Sequence, residues 1–124
     1  MLLVPQGDDA IVARSKMPQI ADCDIPSLLA YLGEMEISFS AGLIDPHVVK
    51  SHQAIDETKA RNMPAKWLRT PILISKEPFV IDGNHRWYRH IIDGTETTFI
   101  RFEEDFPRLI SLIEDFPLTT EDKS

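Results

Sequence analysis

The spacing of apolar residues changes several times along this chain, and each change predicts a boundary between elements. Asp24 and Pro26 are typical of a helix start, since the first can cap and the second fits the first turn. The apolar residues that follow share one helical face: Ile25, Leu28, Leu29, Leu32 and Met35. Residues 42–46 are predicted to form a connection, and Asp45 to cap a second helix that ends near Arg61. The expected buried side of this second helix consists of Val48, Val49 and Ile55.

Two β-rich runs, residues 72–75 and 79–82, are separated by only three residues, which predicts an antiparallel hairpin. The period then becomes helical, and Gly94 supplies a C-terminal stop. The apolar positions of this helix are Trp87, Tyr88, Ile91 and Ile92. Their spacing favours core packing over a base-stacking platform for the two aromatic residues.

The remaining segments complete an α+β pattern. Residues 11–13 predict a first strand and residues 97–102 a later one. Pro107 opens a last helix, whose inward-facing residues are Leu109, Ile110, Leu112, Ile113 and Phe116. The order strand, helices, hairpin, helix, strand, helix predicts a small mixed sheet flanked by helices, rather than repeating βαβ units.

Length and composition are typical of one globular domain. The chain has 124 residues, 43% of them hydrophobic and 27% charged, enough to bury a core without disulfides or metals. We expect a flexible N-terminus over residues 1–10, the domain over residues 11–118 and a disordered tail over residues 119–124. Cys23 is the one cysteine, so no internal disulfide can form. No apolar run has the length of a membrane span, which predicts a soluble, cytoplasmic protein.

Charge limits the classes of partner. Thirteen basic against twenty acidic residues give a net charge of −7. Binding to a nucleic-acid backbone depends mainly on Lys and Arg that neutralise phosphates. Non-specific DNA binding is therefore not expected, although a local basic cluster can still bind one small anion.

The turn Asp82-Gly83-Asn84-His85-Arg86 combines the features of an anion site. Gly83 allows a positive φ or the close approach of a ligand. The next three residues fall in the first helical turn, where backbone N–H groups lack intrahelical partners and the helix dipole is positive. The forked donor of Arg86 and the ring of His85 then suit phosphate. The alternative is structural, because Asp-Gly-Asn also forms turns by itself and Arg86 can pair with a surface carboxylate.

The block Phe79–Trp87, FVIDGNHRW, with the preceding run Pro71–Ile74, resembles the signature of the ParB/sulfiredoxin superfamily. In that family a hairpin delivers a Gly-x-x-Arg turn whose helix start binds nucleotide phosphates. The resemblance is nearest to the branch with Asp-Gly-His-His-Arg, found in free serine kinases and in small phage or prophage ParB-like proteins. Phage-type members also carry a Met-Pro-Gln-Ile segment and a Gln-containing helix, matched here by residues 17–20 and 51–53.

The resemblance implies a set of site residues. Four residues of the turn would hold the phosphates of ATP or CTP: Gly83, Asn84, His85 and Arg86. Asp82 would hold Mg²⁺ or act as a base, with His85 as the second catalytic residue, unless Asp82 only forms the turn and caps the helix. Arg14 and Lys16 would lie over the ligand, and Gln53 would reach the base or a phosphate. The alternatives are solvated surface charges for Arg14 and Lys16 and a polar helix face for Gln53.

Departures from the family pattern limit the chemistry that the resemblance implies. Sulfiredoxins use a catalytic cysteine in Gly-Cys-His-Arg, where this chain has Asn84, so reduction of cysteine sulfinic acid is not expected. Asparagine also cannot shuttle a proton where the kinase branch has histidine, which leaves turnover open. Chromosome partitioning is not expected, since that activity uses a helix-turn-helix domain and a dimerisation region with no counterpart in this sequence.

Two functions of different classes follow. The first is a nucleotide-binding domain or switch that holds NTP phosphates at residues 82–86, with Mg²⁺-dependent phosphotransfer or NTP hydrolysis if it is an enzyme. The second is a non-catalytic, phage-type protein that binds a host protein in the host cytoplasm through acidic residues 103–105 and 114–115. An ordinary solvated surface also explains these carboxylates.

Overall fold

The structure, a computed structural model, describes residues 2–3, 24–51 and 54–116 of the chain. Its elements, in chain order, are β1 (Leu2–Leu3), α1 (Ile25–Glu34), β2 (Phe39–Ile44), β3 (Ala54–Ile55), α2 (Glu57–Arg61), β4 (Ile72–Ile74), β5 (Val80–Asp82), α3 (Asn84–Asp93), β6 (Thr97–Phe102) and α4 (Phe106–Glu114). Short 3₁₀ turns occupy Pro46–Val48 and Ala65–Arg69. This is an α+β arrangement, as the order of predicted elements indicates. The strand predicted at residues 11–13 lies outside the described residues.

Four strands form one mixed sheet in the order β2-β6-β4-β5. β4 and β5 pair antiparallel, which confirms the predicted hairpin. β6 runs parallel to β4 and antiparallel to β2. Since β6 lies beyond β4, helix α3 connects two strands that are not neighbours. β1 and β3 form a separate two-stranded ladder.

Apolar side chains cover both faces of the sheet. On the face packed against α1 and α4, the buried sheet residues are Leu73, Ile81, Ile100 and Phe102. On the face packed against α3, they are Ile72, Ile74 and Val80. Because both faces are covered, all three residues of β4 are buried, and this strand is continuously apolar.

The predicted helices α1, α3 and α4 are confirmed. Gly94 follows α3 with a φ of 69°, the left-handed conformation of a helix stop. The buried residues of α1 and α4 lie on the predicted faces: Leu28, Leu32, Leu109 and Ile113. Two details of α1 differ from the prediction, because Asp24 makes no capping hydrogen bond with its side chain and Met35 lies beyond the helix end, exposed. Among the described residues, every helix is too short or too polar to span a bilayer.

The helix predicted over residues 45–61 is wrong. This segment forms a 3₁₀ turn, the short strand β3 and only five residues of helix, α2. Val48, expected to be buried, is 54% exposed. The physical reason is strand pairing, because the N–H of Lys50 donates to the carbonyl of Pro78 and the N–H of Val80 donates to the carbonyl of Lys50. The other two residues expected on the buried side are buried: Val49 and Ile55.

The connection predicted at residues 42–46 is also wrong, because β2 occupies most of it. The first five residues of β2 are exposed and Ile44 is half-buried. A strand that buries neither face has no alternation of apolar and polar residues, so its sequence carries no strand signal. The backbone hydrogen bonds to β6 hold this segment as a strand.

The turn between α1 and β2 holds a glutamate where glycine is favoured. Glu36 has a φ of 63°. Its N–H donates to the carbonyl of Gly33, and the N–H of Ile37 donates to the carbonyl of Leu32. These two hydrogen bonds form the Schellman pattern of a helix end, in which a residue with a β-carbon is strained.

Replacing Glu36 by glycine should therefore stabilise the fold. We expect Glu36→Gly to raise the free energy of unfolding by about 1 kcal/mol, because glycine adopts this conformation without strain. Urea unfolding followed by circular dichroism measures the change. Glu36→Ala is the control, since it removes the carboxylate and keeps the β-carbon; equal stability of the two variants would contradict the explanation.

Candidate functional site

The candidate site is the turn at residues 82–86, where β5 ends and α3 begins. Gly83 joins the two elements with a φ of 95°. A β-carbon at this position would lie 2.7 Å from Nη2 of Arg86 and 3.0 Å from Cγ2 of Ile72. The backbone conformation therefore favours glycine, and a β-carbon would also displace the end of the Arg86 side chain.

Arg86 folds back over Gly83 and is held at two points. Its Nη2 donates to the carbonyl oxygen of Pro71 at 3.2 Å and to Oδ2 of Asp82 at 3.4 Å. The side chains of Arg86 and Asp82 are only 18% and 10% exposed. Nε of Arg86 is buried and has no hydrogen-bond partner among the described residues. The carboxylate that compensates the guanidinium charge is thus the buried one at the end of β5 and not a surface one.

Asn84 ties the start of α3 to the segment before β3. Its side chain is buried, and its Oδ1 accepts a hydrogen bond from the hydroxyl of Ser51, which is also buried. A buried amide that is held in this way has a fixed orientation. Asn84 therefore positions the backbone of the first helical turn.

His85 lies between the starts of two helices. Its Nε2 accepts a hydrogen bond from the backbone N–H of Asp56 at 3.1 Å. Asp56 caps α2, because its carboxylate accepts from the N–H of Lys59. Because Nε2 accepts this hydrogen bond, the ring is neutral and carries its proton on Nδ1. A general base that acts through Nε2 would first have to break this contact.

The surroundings of Asp82 do not resemble a magnesium site. Among the described residues, no group of three or more His, Cys, Asp or Glu side chains is arranged to hold a metal ion. Mg²⁺ takes several oxygen ligands, usually one or two carboxylates together with water and substrate phosphates. Since the carboxylate of Asp82 pairs with Arg86, these residues do not form a magnesium site by themselves.

Three residues of the predicted site lie outside the described part of the chain: Arg14, Lys16 and Gln53. Residues 82–86, in contrast, are all described and share one strand end and one helical turn. Of the predicted site, the structure therefore describes the motif.

Sequence reasoning missed the residues outside the motif that contact the turn, which are Ser51, Asp56 and Pro71. It also missed the role of Arg89 at the end of α2. Nη1 of Arg89 donates to three carbonyl oxygens at the end of α2, those of Ala60, Arg61 and Met63. Arg89 follows Arg86 by three residues, so helical spacing could have indicated that the two lie on one face. The other residues contribute backbone groups or a small hydroxyl, which no sequence pattern marks.

Trp87 is a core residue, as its spacing predicts. Its ring is buried in the apolar layer next to α3, and its Nε1 donates to the carbonyl of Pro46 at 2.8 Å. Tyr88 is half-buried against the same layer. Trp87 is therefore not a surface on which a nucleobase can stack.

The family assignment depends on the motif. No family model matches the chain, and neither a curated protein nor a solved structure matches it. The resemblance to the ParB/sulfiredoxin superfamily stays a prediction.

Gly83 and Gly94 offer a matched test of the close packing in the turn. Both have a positive φ, but nothing lies within 4 Å of a β-carbon added at Gly94. We expect Gly94→Ala to lower the free energy of unfolding by about 1 kcal/mol, from backbone conformation alone. Gly83→Ala should lower it by about 3 kcal/mol, because the new β-carbon also displaces Arg86. Urea unfolding measures both losses, and equal losses would contradict the close approach.

His90 lies one turn after Arg86 and is buried, with Nδ1 at 2.9 Å from Oγ1 of Thr95. Burial lowers the pKa of His90 below its usual value, and the charge of Asp93 opposes this shift only in part. The folded chain therefore disfavours the protonated ring.

This burial predicts a loss of stability in mild acid. The unfolded chain protonates the ring near pH 6.5, about its usual pKa, whereas the folded chain keeps it neutral to lower pH. Below that pH the unfolded state binds more protons, so the free energy of unfolding decreases as the pH falls. Unfolding measured from about pH 7.5 to about pH 5 should show a steeper decrease for the wild type than for His90→Gln. Equal slopes would contradict this role of His90.

Proposed function

We propose that this domain binds the phosphates of a nucleoside triphosphate, ATP or CTP, at the turn 82–86. The observation that carries the proposal is the position of Arg86, whose guanidinium lies over an N-cap glycine in the left-handed conformation. A forked cation and the start of a ten-residue helix thus converge on one point. Phosphate oxygens favour this combination of charge and oriented donors.

The start of α3 supplies donors as well as a dipole. The first N–H groups of an α-helix have no acceptor within the helix. The intrahelical ladder of α3 begins with the N–H of Trp87, which donates to the carbonyl of Gly83. Gly83 has no side-chain oxygen to cap these amides, so the positive end of the α3 dipole adds to the charge of Arg86 at this point.

Arg86 is held in place before any ligand arrives. Both of its contacts, with Pro71 and with Asp82, are made by Nη2, so the direction of the fork is fixed. A side chain that is already oriented loses little conformational freedom on binding. The contact with Asp82 is long, and a phosphate carries more negative charge, so the phosphate is the stronger partner for the guanidinium.

The surface next to the turn is basic although the chain is acidic. Residues 57–71 contain one acidic residue, Glu57, and four exposed basic residues: Lys59, Arg61, Lys66 and Arg69. This segment leads into Pro71, whose carbonyl oxygen contacts Arg86. A local excess of positive charge attracts anions to a site even where the net charge is −7.

Binding has more support than turnover. The two predicted catalytic residues are both engaged, Asp82 with Arg86 and His85 with the backbone of Asp56. Phosphoryl transfer depends mostly on positioning and on neutralisation of charge, which Arg86 and the helix start would supply. Phosphotransfer or NTP hydrolysis stays a prediction beyond the proposed binding.

The acidic surface that would bind a host protein has less support. Glu104 pairs with Arg108 at 2.9 Å, and the carboxylate of Asp105 caps α4 by accepting from the N–H of Arg108. Local contacts therefore account for two of the three acidic residues at positions 103–105. The interaction with a host protein stays a prediction.

Isothermal titration with ATP and CTP, with and without Mg²⁺, tests the proposed binding. We expect one nucleotide to bind with a micromolar Kd and Arg86→Ala to weaken it by about 100-fold, because the forked cation is lost. Arg86→Lys keeps the charge without the fork and should weaken binding by about tenfold. Arg108→Lys is the control and should change the Kd by less than about twofold, since Arg108 is exposed on α4 and pairs with Glu104.

Asp82→Asn separates a binding role of the turn from a structural one. If Asp82 competes with phosphate for Arg86, removal of its charge should tighten nucleotide binding severalfold. The proposal is wrong if the folded wild type binds neither nucleotide up to about 1 mM. It is also wrong if the Arg86→Lys variant, shown by circular dichroism to be folded, binds the nucleotide as tightly as the wild type does.

A further inference from the structure

The two edges of the four-stranded sheet differ. β5, at one edge, is covered by the backbone of Lys50, which donates to Pro78 and accepts from Val80. β2, at the other edge, pairs with β6 on one side. On its other side no strand of the described residues pairs with it. We call this side of β2 the open edge.

Backbone donors and acceptors point outward from the open edge. The N–H of Glu103 donates to the carbonyl of Ser38, so the polar groups of Ser38 point toward β6. These groups alternate along a strand, and those of Phe39, Ala41 and Leu43 therefore point away from β6. An added strand would find a row of hydrogen-bonding groups with the spacing of a sheet.

The open edge lacks the features that usually prevent strand pairing. Edge strands are commonly protected by charged residues, proline or a bulge. Residues Phe39–Ile44 contain no charged residue and no proline, and their register with β6 is continuous. Phe39 and Leu43, on one face of the strand, are 47% and 62% exposed.

An apolar groove lies beside the start of β2. It has a volume of about 430 Å³ and is lined by Leu29, Gly33, Glu36, Ile37, Ser38 and Phe39. A strand added at the open edge would place alternate side chains on the same face as Phe39. One apolar side chain of such a strand can therefore enter the groove.

Carboxylates lie at both ends of the open edge. Glu36 is exposed just before β2 and Asp45 just after it, whereas the exposed Glu96 and Glu103 flank the neighbouring strand β6. The pKa of Asp45 is below its usual value, chiefly because the backbone N–H of His47 donates to the carboxylate. Asp45 is thus anionic at neutral pH, and both ends of the edge are negative.

This charge pattern discriminates between occupants. In an antiparallel pair of two copies of this chain, Glu36 of each copy would lie near Asp45 of the other, and like charges would repel at both ends. A segment with Lys or Arg at its ends would instead meet opposite charge at both ends. Charge complementarity therefore favours a basic partner over a second copy.

We propose that the open edge binds an extended segment of a partner protein, in which alternating apolar residues are flanked by Lys or Arg. The segment adds a fifth strand beside β2 and inserts one apolar side chain into the groove. The turn 82–86 lies at the β5 edge, beyond β6 and β4. The two interactions are therefore independent, and either can fail without the other.

Fluorescence anisotropy with a labelled peptide tests the proposal. The peptide has about ten residues, in which valine and threonine alternate and a pair of lysines stands at each end. The matched control peptide has glutamate in place of lysine. We expect the lysine peptide to bind with a Kd below about 100 µM and the glutamate peptide not to bind. Equal affinity of the two peptides, or no binding of the lysine peptide up to about 1 mM, would overturn the proposal.

Two pairs of variants test the edge and its charge. Ala41→Pro removes an N–H that points outward and leaves the hydrogen bonds to β6 in place. It should weaken binding of the lysine peptide by at least about tenfold. Ala41→Val keeps the N–H and should change the Kd by less than about twofold. Glu36→Lys, at the start of the open edge, should weaken binding by about fivefold, whereas Glu114→Lys, the same change of charge on α4, should not. Equal effects within either pair would overturn the proposal.

Measurements on the free protein identify other occupants. A dimer in sedimentation that Ala41→Pro dissociates would mean that a second copy fills the open edge, and the proposal would be wrong. Slow hydrogen exchange at the amides of Phe39, Ala41 and Leu43 in a monomer would mean that the chain itself covers them, with the same consequence. The proposal is supported if the protein is a monomer, if these amides exchange fast in the free protein, and if their exchange slows when the lysine peptide is added.

Discussion

The rest of the structure depends on the absence of a side chain at Gly83. The chain has to reverse from β5 into α3 at this residue, with a φ of 95°, and Arg86 and Ile72 fill the space that a β-carbon would occupy. Ile72 belongs to β4, which is buried on both faces. Through Arg86 the same turn reaches Asp82 and the carbonyl of Pro71. The hairpin, the helix and the sheet between the two apolar layers are thus joined at one residue.

Helix α3 holds in place a part of the chain that has little regular structure of its own. Four of its polar side chains contact the stretch from the 3₁₀ turn at Pro46–Val48 to the end of α2: Asn84, His85, Trp87 and Arg89. Each contact joins α3 to a backbone group or to a small hydroxyl. Polar contacts with α3, together with the buried side chains of Val49, Ile55 and Ala60, therefore hold residues 46–51 and 54–63 in place without a long amphipathic helix.

This difference explains how far the sequence predicts the fold. α3, α4 and the β4–β5 hairpin combine a clear period with start and stop residues, and these elements were predicted. Over residues 45–61 the helical spacing of apolar residues is weak, and the pairing of Lys50 with β5 overrides it. β2 has no buried face, so no alternation of apolar residues predicts it. The motif at 82–86 was found because residue types define it. Its partners Ser51 and the Pro71 carbonyl were not, since only the folded chain brings them there.

The pairing of Asp82 with Arg86 sets what the proposed phosphate site can achieve. A guanidinium that is 18% exposed needs a negative partner when no ligand is bound, and Asp82 is that partner at 3.4 Å. The binding free energy of a phosphate is only the difference between its own interaction with Arg86 and the Asp82–Arg86 interaction that it replaces. Because the pair is joined by a single long contact, whereas a phosphate can engage the fork at two nitrogens, the difference favours the phosphate. The same carboxylate that compensates the guanidinium in the free protein would therefore limit the affinity, and we expect the proposed site to bind and release a nucleotide readily rather than retain it.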